Sequence, residues 1–146
     1  MIKVAKNVPK VARVASRVCF SADSLVNVLT NNKKVVQKLL RDINLGDMVE
    51  SVDEETGYQT FSKVYYIAHE NEDTRSQMLR ILYKDFSNST KFLGISDRHL
   101  MYVTKKGHST AQPPLKEPIM AMNVEEGDVI WTMEEGSLVP RQVEGL

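Results

Sequence analysis

Cys19 is the only cysteine in a chain of 146 residues, and it lies where a basic leader meets a body rich in strand-forming stretches. A thiol can attack the carbonyl carbon of the residue before it, here Val18, through a five-membered transition state. This N-to-S acyl shift exchanges an amide for a thioester, so the fold must strain the peptide bond or capture the product. A lone cysteine is also a common small buried apolar residue. Cys19 is therefore either a nucleophile or a core residue.

Ser96 and His99 are the second group of residues that could do chemistry. They lie three residues apart in the segment Gly94-Ile95-Ser96-Asp97-Arg98-His99-Leu100. A hydroxyl and an imidazole that project from one turn can converge on a single amide, where one steadies the carbonyl oxygen and the other donates a proton to the departing nitrogen. The alternative is a serine that caps the turn beside a histidine on the surface.

Strands are the elements that must position these side chains. Short apolar stretches separated by turn residues predict an all-β fold, and they occupy residues 25–29, 35–40, 48–52, 61–67, 78–83, 92–95 and 100–103. The aromatic and β-branched run 61–67 is the strongest strand prediction. The stretch 35–40 could instead form a helical turn, because short apolar runs do not distinguish the two.

An internal repeat accompanies these stretches. Residues 43–49 and 124–130 place the pairs Gly46-Asp47 and Gly127-Asp128 in the same frame. In each case a short strand, an acidic turn with a glycine and a second strand follow. Glycine allows positive φ in a tight turn and aspartate can bond the backbone beside it. The pattern favours a duplicated β unit with halves at about 19–75 and 76–146, over a coincidence of common turn dipeptides.

The charge is divided unevenly along the chain. Residues 1–18 carry five basic residues and no acid, which leaves 14 basic and 19 acidic residues in 19–146. We expect 1–18 to be a leader or residual upstream segment, either a poorly ordered tail or a loose imitation of a mitochondrial transit peptide. We expect 19–146 to form one domain.

Composition excludes several classes of function. The chain has 19 basic and 19 acidic residues, so nucleic acid has no overall electrostatic reason to bind. It has no apolar run long enough for a transmembrane segment, and the leader lacks the apolar region of a signal peptide. The histidines and the cysteine show no metal-ligand spacing. We expect no metal, no cofactor and a monomer.

The ordered set of motifs resembles the Hint domain of hedgehog and hedgehog-related (warthog and groundhog type) autoprocessing proteins. The matching segments are Cys19-Phe20-Ser21-Ala22-Asp23-Ser24-Leu25-Val26, Leu45-Gly46-Asp47-Met48-Val49, Phe61-Ser62-Lys63-Val64 and Ser96 to Leu100. The resemblance covers residues 19 to about 143. It implies an all-β horseshoe of two duplicated halves related by a pseudo-two-fold axis, in agreement with the internal repeat.

The resemblance also implies an autocatalytic, single-turnover reaction on the chain's own upstream segment. Cys19 would attack the Val18 carbonyl, His99 would assist cleavage of the amide, and Ser96 stands where the family usually has a threonine. A second nucleophile would then release the thioester: a sterol hydroxyl in hedgehog proteins, or else another alcohol or water. The family implies the secretory pathway or an extracellular location.

The chain departs from the hedgehog pattern at three places. Val18 replaces the usual glycine before the cleaved bond, and His69 stands where hedgehog places the aspartate thought to activate the sterol. His69 is either a substitute base, since histidine can accept a proton, or simply the end of a strand. The chain ends at Leu146, which predicts a C-terminally shortened Hint domain. An inactive Hint-derived module with a structural or interaction role is the alternative function. Splicing is not expected, because the last asparagine is Asn123.

Overall fold

The computed structural model describes residues 20–67 and 77–146, and these two ranges contain strands and two short 3-10 helices but no α-helix. The prediction of an all-β fold is confirmed. The strands are β1 (Leu25–Leu29), β2 (Val35–Leu39), β3 (Met48–Val52), β4 (Gln59–Lys63), β5 (Met78–Lys84), β6 (Thr90–Ser96), β7 (Leu100–Met101), β8 (Val103–Thr104), β9 (Ile119–Met120), β10 (Val129–Glu134) and β11 (Ser137–Gly145). The 3-10 helices are η1 (Leu40–Asp42) and η2 (Ala121–Asn123). Neither of these helices is long and apolar enough to cross a membrane.

The strands of the described ranges form three antiparallel sheets. The first has the strand order β2-β1-β3-β4, the second has the order β6-β5-β11-β10-β8, and β7 pairs with β9. Four of the eight strand pairs in these ranges join strands that follow each other in the chain, as the short turns between antiparallel strands allow. Strand β6 is an edge of the second sheet, so one side of it is open to a further pairing partner.

Each of the two larger sheets has its own apolar cluster. The cluster of the first sheet consists of the buried residues Val28, Ile43, Val49 and Val64. The cluster of the second sheet consists of the buried residues Ile81, Ile95, Val103, Ala121, Val124, Ile130 and Val143. The buried side chains on β1 and β3 alternate with more exposed ones, as the period of two along a strand requires. Burial of these faces provides the main free energy that holds each sheet together.

A corner built on a Gly-Asp pair follows η1. Gly46 has a φ of +94°, a conformation that glycine adopts at little cost. Its N–H donates to the Val64 carbonyl over 2.7 Å, and the Val64 N–H donates to the Asp47 carbonyl over 2.8 Å. The Asp47 carboxylate accepts from the Asn44 N–H and the Lys38 ammonium, both at 3.0 Å. The Asn44 N–H and Lys38 hold the pKa of Asp47 below its ordinary value.

The same corner follows η2 in the second half. Gly127 has a φ of +90°, and the two backbone bonds recur at 2.8 Å between Gly127, Val143 and Asp128. The Asp128 carboxylate is fully buried and accepts from the Lys105 ammonium at 2.6 Å and the Glu125 N–H at 2.9 Å. The Lys106 backbone N–H also donates to this carboxylate, over 2.9 Å. Burial opposes ionisation, but these donors outweigh it and lower the pKa of Asp128. The sequence repeat thus corresponds to a repeated hydrogen-bond pattern.

The strongest strand prediction, residues 61–67, is wrong beyond Lys63. Val64 leaves the β4 ladder because its N–H and carbonyl are used by the Gly46-Asp47 corner. The following Tyr65 and Tyr66 are each 53% exposed. β-propensity predicted a longer strand, but the corner bonds, which lie far away in sequence, end it.

Two other stretches differ from a single predicted strand. Residues 35–40 form a strand, β2, that passes directly into the helical turn η1. The stretch 100–103 is broken at Tyr102, because β7 pairs with β9 whereas β8 pairs with β10. The chain therefore changes sheets within one predicted strand.

The two corner aspartates should differ in their effect on stability. Asp128→Ala removes a fully buried carboxylate and leaves its two backbone N–H donors without their acceptor, so we expect it to lower the free energy of unfolding by about 3 kcal/mol. Asp47→Ala should cost about 1 kcal/mol, because water can reach a site whose carboxylate is 20% exposed. Urea unfolding followed by the fluorescence of Trp131 measures both values.

Asp23→Ala is the matched control. Asp23 also pairs with a cation, Arg41, at 2.7 Å, but its side chain is 73% exposed. An exposed pair of this kind contributes little, so the free energy of unfolding should change by less than about 0.5 kcal/mol. Equal losses for Asp47→Ala and Asp128→Ala would show that burial does not set the strength of the corner.

Candidate active site

Ser96 and His99 lie at the two ends of one tight turn, the histidine turn (Ser96 to His99), which directly follows the edge strand β6. Ser96 is fully buried. The His99 backbone N–H donates to the Ser96 carbonyl over 3.1 Å and closes a four-residue turn. The backbones of these two candidate residues are thereby fixed relative to each other.

The first residues of η2 hold the histidine turn from outside. The Ala121 N–H donates to the His99 carbonyl over 2.8 Å, and the Met122 N–H donates to the Asp97 carbonyl over 2.7 Å. The N–H groups at the start of a helix have no partner within the helix, so they are available for this role. The position of His99 therefore depends on η2.

A second turn with the same bonds precedes β1. In this serine turn (Ser21 to Ser24), the Ser24 N–H donates to the Ser21 carbonyl over 3.0 Å. The Leu40 N–H, at the start of η1, donates to the Ser24 carbonyl over 2.7 Å, and the Arg41 N–H donates to the Ala22 carbonyl over 3.1 Å. Both halves therefore contain a turn, a strand, a 3-10 helix that binds the turn, and a Gly-Asp corner.

The serine turn and the histidine turn meet at β6. Phe20 forms an antiparallel bridge with Ile95, and the Ser21 N–H donates to the Gly94 carbonyl over 3.1 Å. Phe20 and Ile95 each directly precede their turn, so the bridge joins equivalent residues, as a local two-fold axis requires. A Cβ on Gly94 would lie 3.3 Å from the Ser21 Cβ, and glycine thus permits the close approach.

The Phe20 side chain contacts the candidate histidine directly. The ring centroids of Phe20 and His99 are 4.2 Å apart and the rings are tilted by 50°. Nδ1 of His99 is buried and has no hydrogen-bond partner among the residues that the structure describes. The residue that follows Cys19 in sequence therefore covers an imidazole with an unused buried nitrogen.

The Hint module family model matches residues 6–145. This chain belongs to the Hint module family. No curated protein sequence matches the chain. The match spans Cys19 and both turns of this Hint module, and the all-β structure agrees with the Hint fold. Hint modules generally carry out autocatalytic cleavage or splicing of the chain that contains them.

Burial determines the charge of the histidine in this Hint module. Removal of water from around the imidazole disfavours its charged form and lowers the pKa of His99 to about 4. The ring is therefore neutral at pH 7. A neutral imidazole has one nitrogen that can accept a proton and one that can donate one.

The structure covers only part of the predicted site of the Hint module. Ser96 and His99 are brought together in one turn. Val18, Cys19 and His69 lie outside the described residues, so their predicted roles stay predictions.

The sequence interpretation missed three supports of the site. These are the ring of Phe20, the close approach that a glycine at residue 94 permits, and the two backbone N–H donors of η2. One signal was present: Ser21-x-x-Ser24-Leu25 and Ser96-x-x-His99-Leu100 have the same pattern. A glycine within a strand is also a known sign of close backbone approach.

The lowered pKa of His99 should be visible in solution. In the Cys19→Ala variant, which keeps the chain intact, the imidazole signals of His99 should titrate near pH 4 and not near the ordinary value of about 6.5. NMR of the ring protons, assigned with His99→Gln, measures the midpoint.

The same shift makes stability depend on pH. Between about pH 6.5 and 4 the unfolded chain binds a proton at His99 that the folded chain does not, so the free energy of unfolding should fall as the pH drops through this window. His99→Gln should remove this part of the slope in urea unfolding. An unchanged slope would show that His99 is not kept neutral by the fold.

Proposed function

We propose that this Hint module cleaves its own chain at the Val18-Cys19 bond through an N-to-S acyl shift that produces a thioester. The observation that carries the proposal is the contact of Phe20 with β6 and with the His99 ring at 4.2 Å. Phe20 is the neighbour of Cys19, so this contact brings the thiol-bearing part of the chain to the candidate acid-base residue.

Covalent and pairing geometry support a short separation between the thiol and the histidine turn. Consecutive Cα atoms are about 3.8 Å apart, so Cys19 cannot be far from the Phe20 backbone. Phe20 pairs with Ile95, the residue directly before Ser96, so the chain that follows Cys19 runs beside the start of the histidine turn. We infer that the scissile bond reacts at the histidine turn.

The proton balance of the acyl shift suits His99. The Cys19 sulfur forms a bond to the Val18 carbonyl carbon, and the bond from that carbon to the Cys19 nitrogen breaks. The thiol loses a proton and the departing nitrogen gains one. A neutral imidazole can accept the first proton and deliver it to the nitrogen, so the step needs no co-reactant.

Because the pKa of His99 is low, its protonated ring would give up the proton readily. An imidazolium whose pKa is about 4 is a strong donor towards an amine, which is a poor leaving group until it is protonated. The Ser96 hydroxyl would donate to the oxyanion that forms on the Val18 carbonyl oxygen. The full burial of Ser96 would strengthen that interaction by excluding water.

The resemblance to hedgehog proteins suggests the second step. A sterol, another alcohol or water would attack the thioester and release the upstream segment, with His69 as the base that accepts the proton of the attacking hydroxyl. In this proposal His69 replaces the aspartate of the hedgehog pattern. The upstream segment would leave with the acceptor attached, or as a free acid when the acceptor is water.

The alternative is an inactive Hint-derived module that serves a structural or interaction role. Val18 favours it, because a β-branched side chain next to the attacked carbonyl hinders the approach of sulfur. The orientation of the site by two η2 hydrogen bonds would then be a remnant of an ancestral reaction.

Thiol treatment distinguishes the two functions. Dithiothreitol or hydroxylamine should release a peptide of 18 residues and leave 128 residues that begin with Cys19. Cys19→Ala should abolish the release completely, because alanine has no nucleophile. Mass spectrometry of the purified chain measures both products, and release from Cys19→Ala would point to a contaminating protease.

His99 and Ser96 should contribute unequally to thioester formation. His99→Ala should slow thiol-induced release by about 10² to 10⁴, the usual value of general acid-base catalysis. Ser96→Ala should cost less, because a backbone N–H can share the oxyanion. Time courses with excess dithiothreitol give the rates. Cleavage of His99→Ala at the parental rate would remove His99 from the mechanism.

A further inference from the structure

We propose that Phe20 is a positioning residue for His99, so that the segment that carries the nucleophile also completes the environment of the imidazole. The catalytic consequence rests on the proposed function, whereas the structural claim about the ring does not. Phe20 does not touch the reacting atoms in this proposal. It acts by orienting the imidazole and by shielding it from water.

The first argument is the absence of another anchor on Nδ1. Catalytic histidines are commonly oriented by a hydrogen bond from one ring nitrogen to a carboxylate or a carbonyl. Nδ1 of His99 is buried and makes no such bond within residues 20–67 and 77–146. The backbone of His99 is held by Ser96 and Ala121, but those bonds leave the ring free to rotate. The tilted contact with Phe20 restricts this rotation.

The second argument is that the Phe20 ring is itself held in place. The bridge to Ile95 and the bond from the Ser21 N–H to the Gly94 carbonyl attach the segment to β6. The histidine turn begins at the last residue of the same strand. Phe20 is therefore attached to β6 at Ile95, and His99 ends the turn four residues further along the chain.

The third argument is the fit at Gly94. A Cβ at residue 94 would lie 3.3 Å from the Ser21 Cβ, which is closer than an ordinary van der Waals contact. A branched side chain here would push the Phe20-Ser21 segment away from β6. Residue 94 can therefore be used to move the Phe20 ring without changing either ring.

The Phe20 ring also covers part of the imidazole, which is half-buried. Phe20 is 40% exposed, so its outer part faces solvent while the rest lies over His99. Removal of the ring would open the imidazole to water and restore the charged form. The imidazole would then be complete only while the segment that follows Cys19 lies on β6.

The test uses the full chain and two readouts. Phe20→Ala should slow thiol-induced release by about 10²-fold, the typical result of misplacing a catalytic group by about 1 Å. In the Cys19→Ala background it should raise the His99 titration midpoint from about 4 towards about 6.5. Phe20→Tyr should restore both readouts, and Gly94→Val should resemble Phe20→Ala.

Phe86→Ala is the matched control, because Phe86 is 82% exposed in the turn between β5 and β6. It should change neither readout. A titration midpoint that stays near 4 in Phe20→Ala, or release at the parental rate in that variant, would overturn the proposal. If the parent chain releases no peptide, the proposed function fails, and the titration alone then decides whether Phe20 positions His99.

Discussion

The buried carboxylate of Asp128 is the interaction on which the candidate site depends. The carboxylate accepts a hydrogen bond from the Glu125 N–H, which fixes the backbone that follows η2. It also accepts one from the Lys105 ammonium, which follows β8. The start of η2 in turn holds the carbonyls of His99 and Asp97. A charge in the interior is stable only when donors surround it, and here the surrounding donors are the segments whose positions the histidine requires. The site is thus supported by electrostatics at a distance from the reacting atoms.

Duplication explains how two turns 75 residues apart in sequence come to meet at one strand. Each half has a turn that its own 3-10 helix holds, and the two turns meet through the bridge between equivalent residues, Phe20 and Ile95. A local two-fold axis brings every element near the axis close to its counterpart. One turn could therefore acquire an imidazole while the chain before the other turn acquired a thiol. The connection from His99 to Ala121 has six more residues than that from Ser24 to Leu40, yet the contacts are preserved.

Sequence patterns predicted the parts of the molecule that are local. Most strands and the Gly-Asp repeat were visible as short periodic segments, and Ser96 and His99 were recognised as one turn because three residues separate them. The run 61–67 was overestimated because distant corner bonds end β4 at Lys63. The contact of Phe20 with His99 had no local signal at all, since it depends on a bridge between residues 75 positions apart. Long-range pairing, and not propensity, decides both of these features.

The neutrality of His99 limits what kind of catalyst the histidine turn can be. A charged imidazolium could polarise the scissile carbonyl, but it could not accept the thiol proton. A neutral imidazole in a solvated site would accept that proton and then donate it weakly to an amine, because its conjugate acid has an ordinary pKa of about 6.5. Burial beneath an aromatic ring lowers the pKa of His99 to about 4 and shifts the balance towards donation. In the proposed acyl shift, breaking the bond to a poor amine leaving group is the difficult part, and this environment would favour that step.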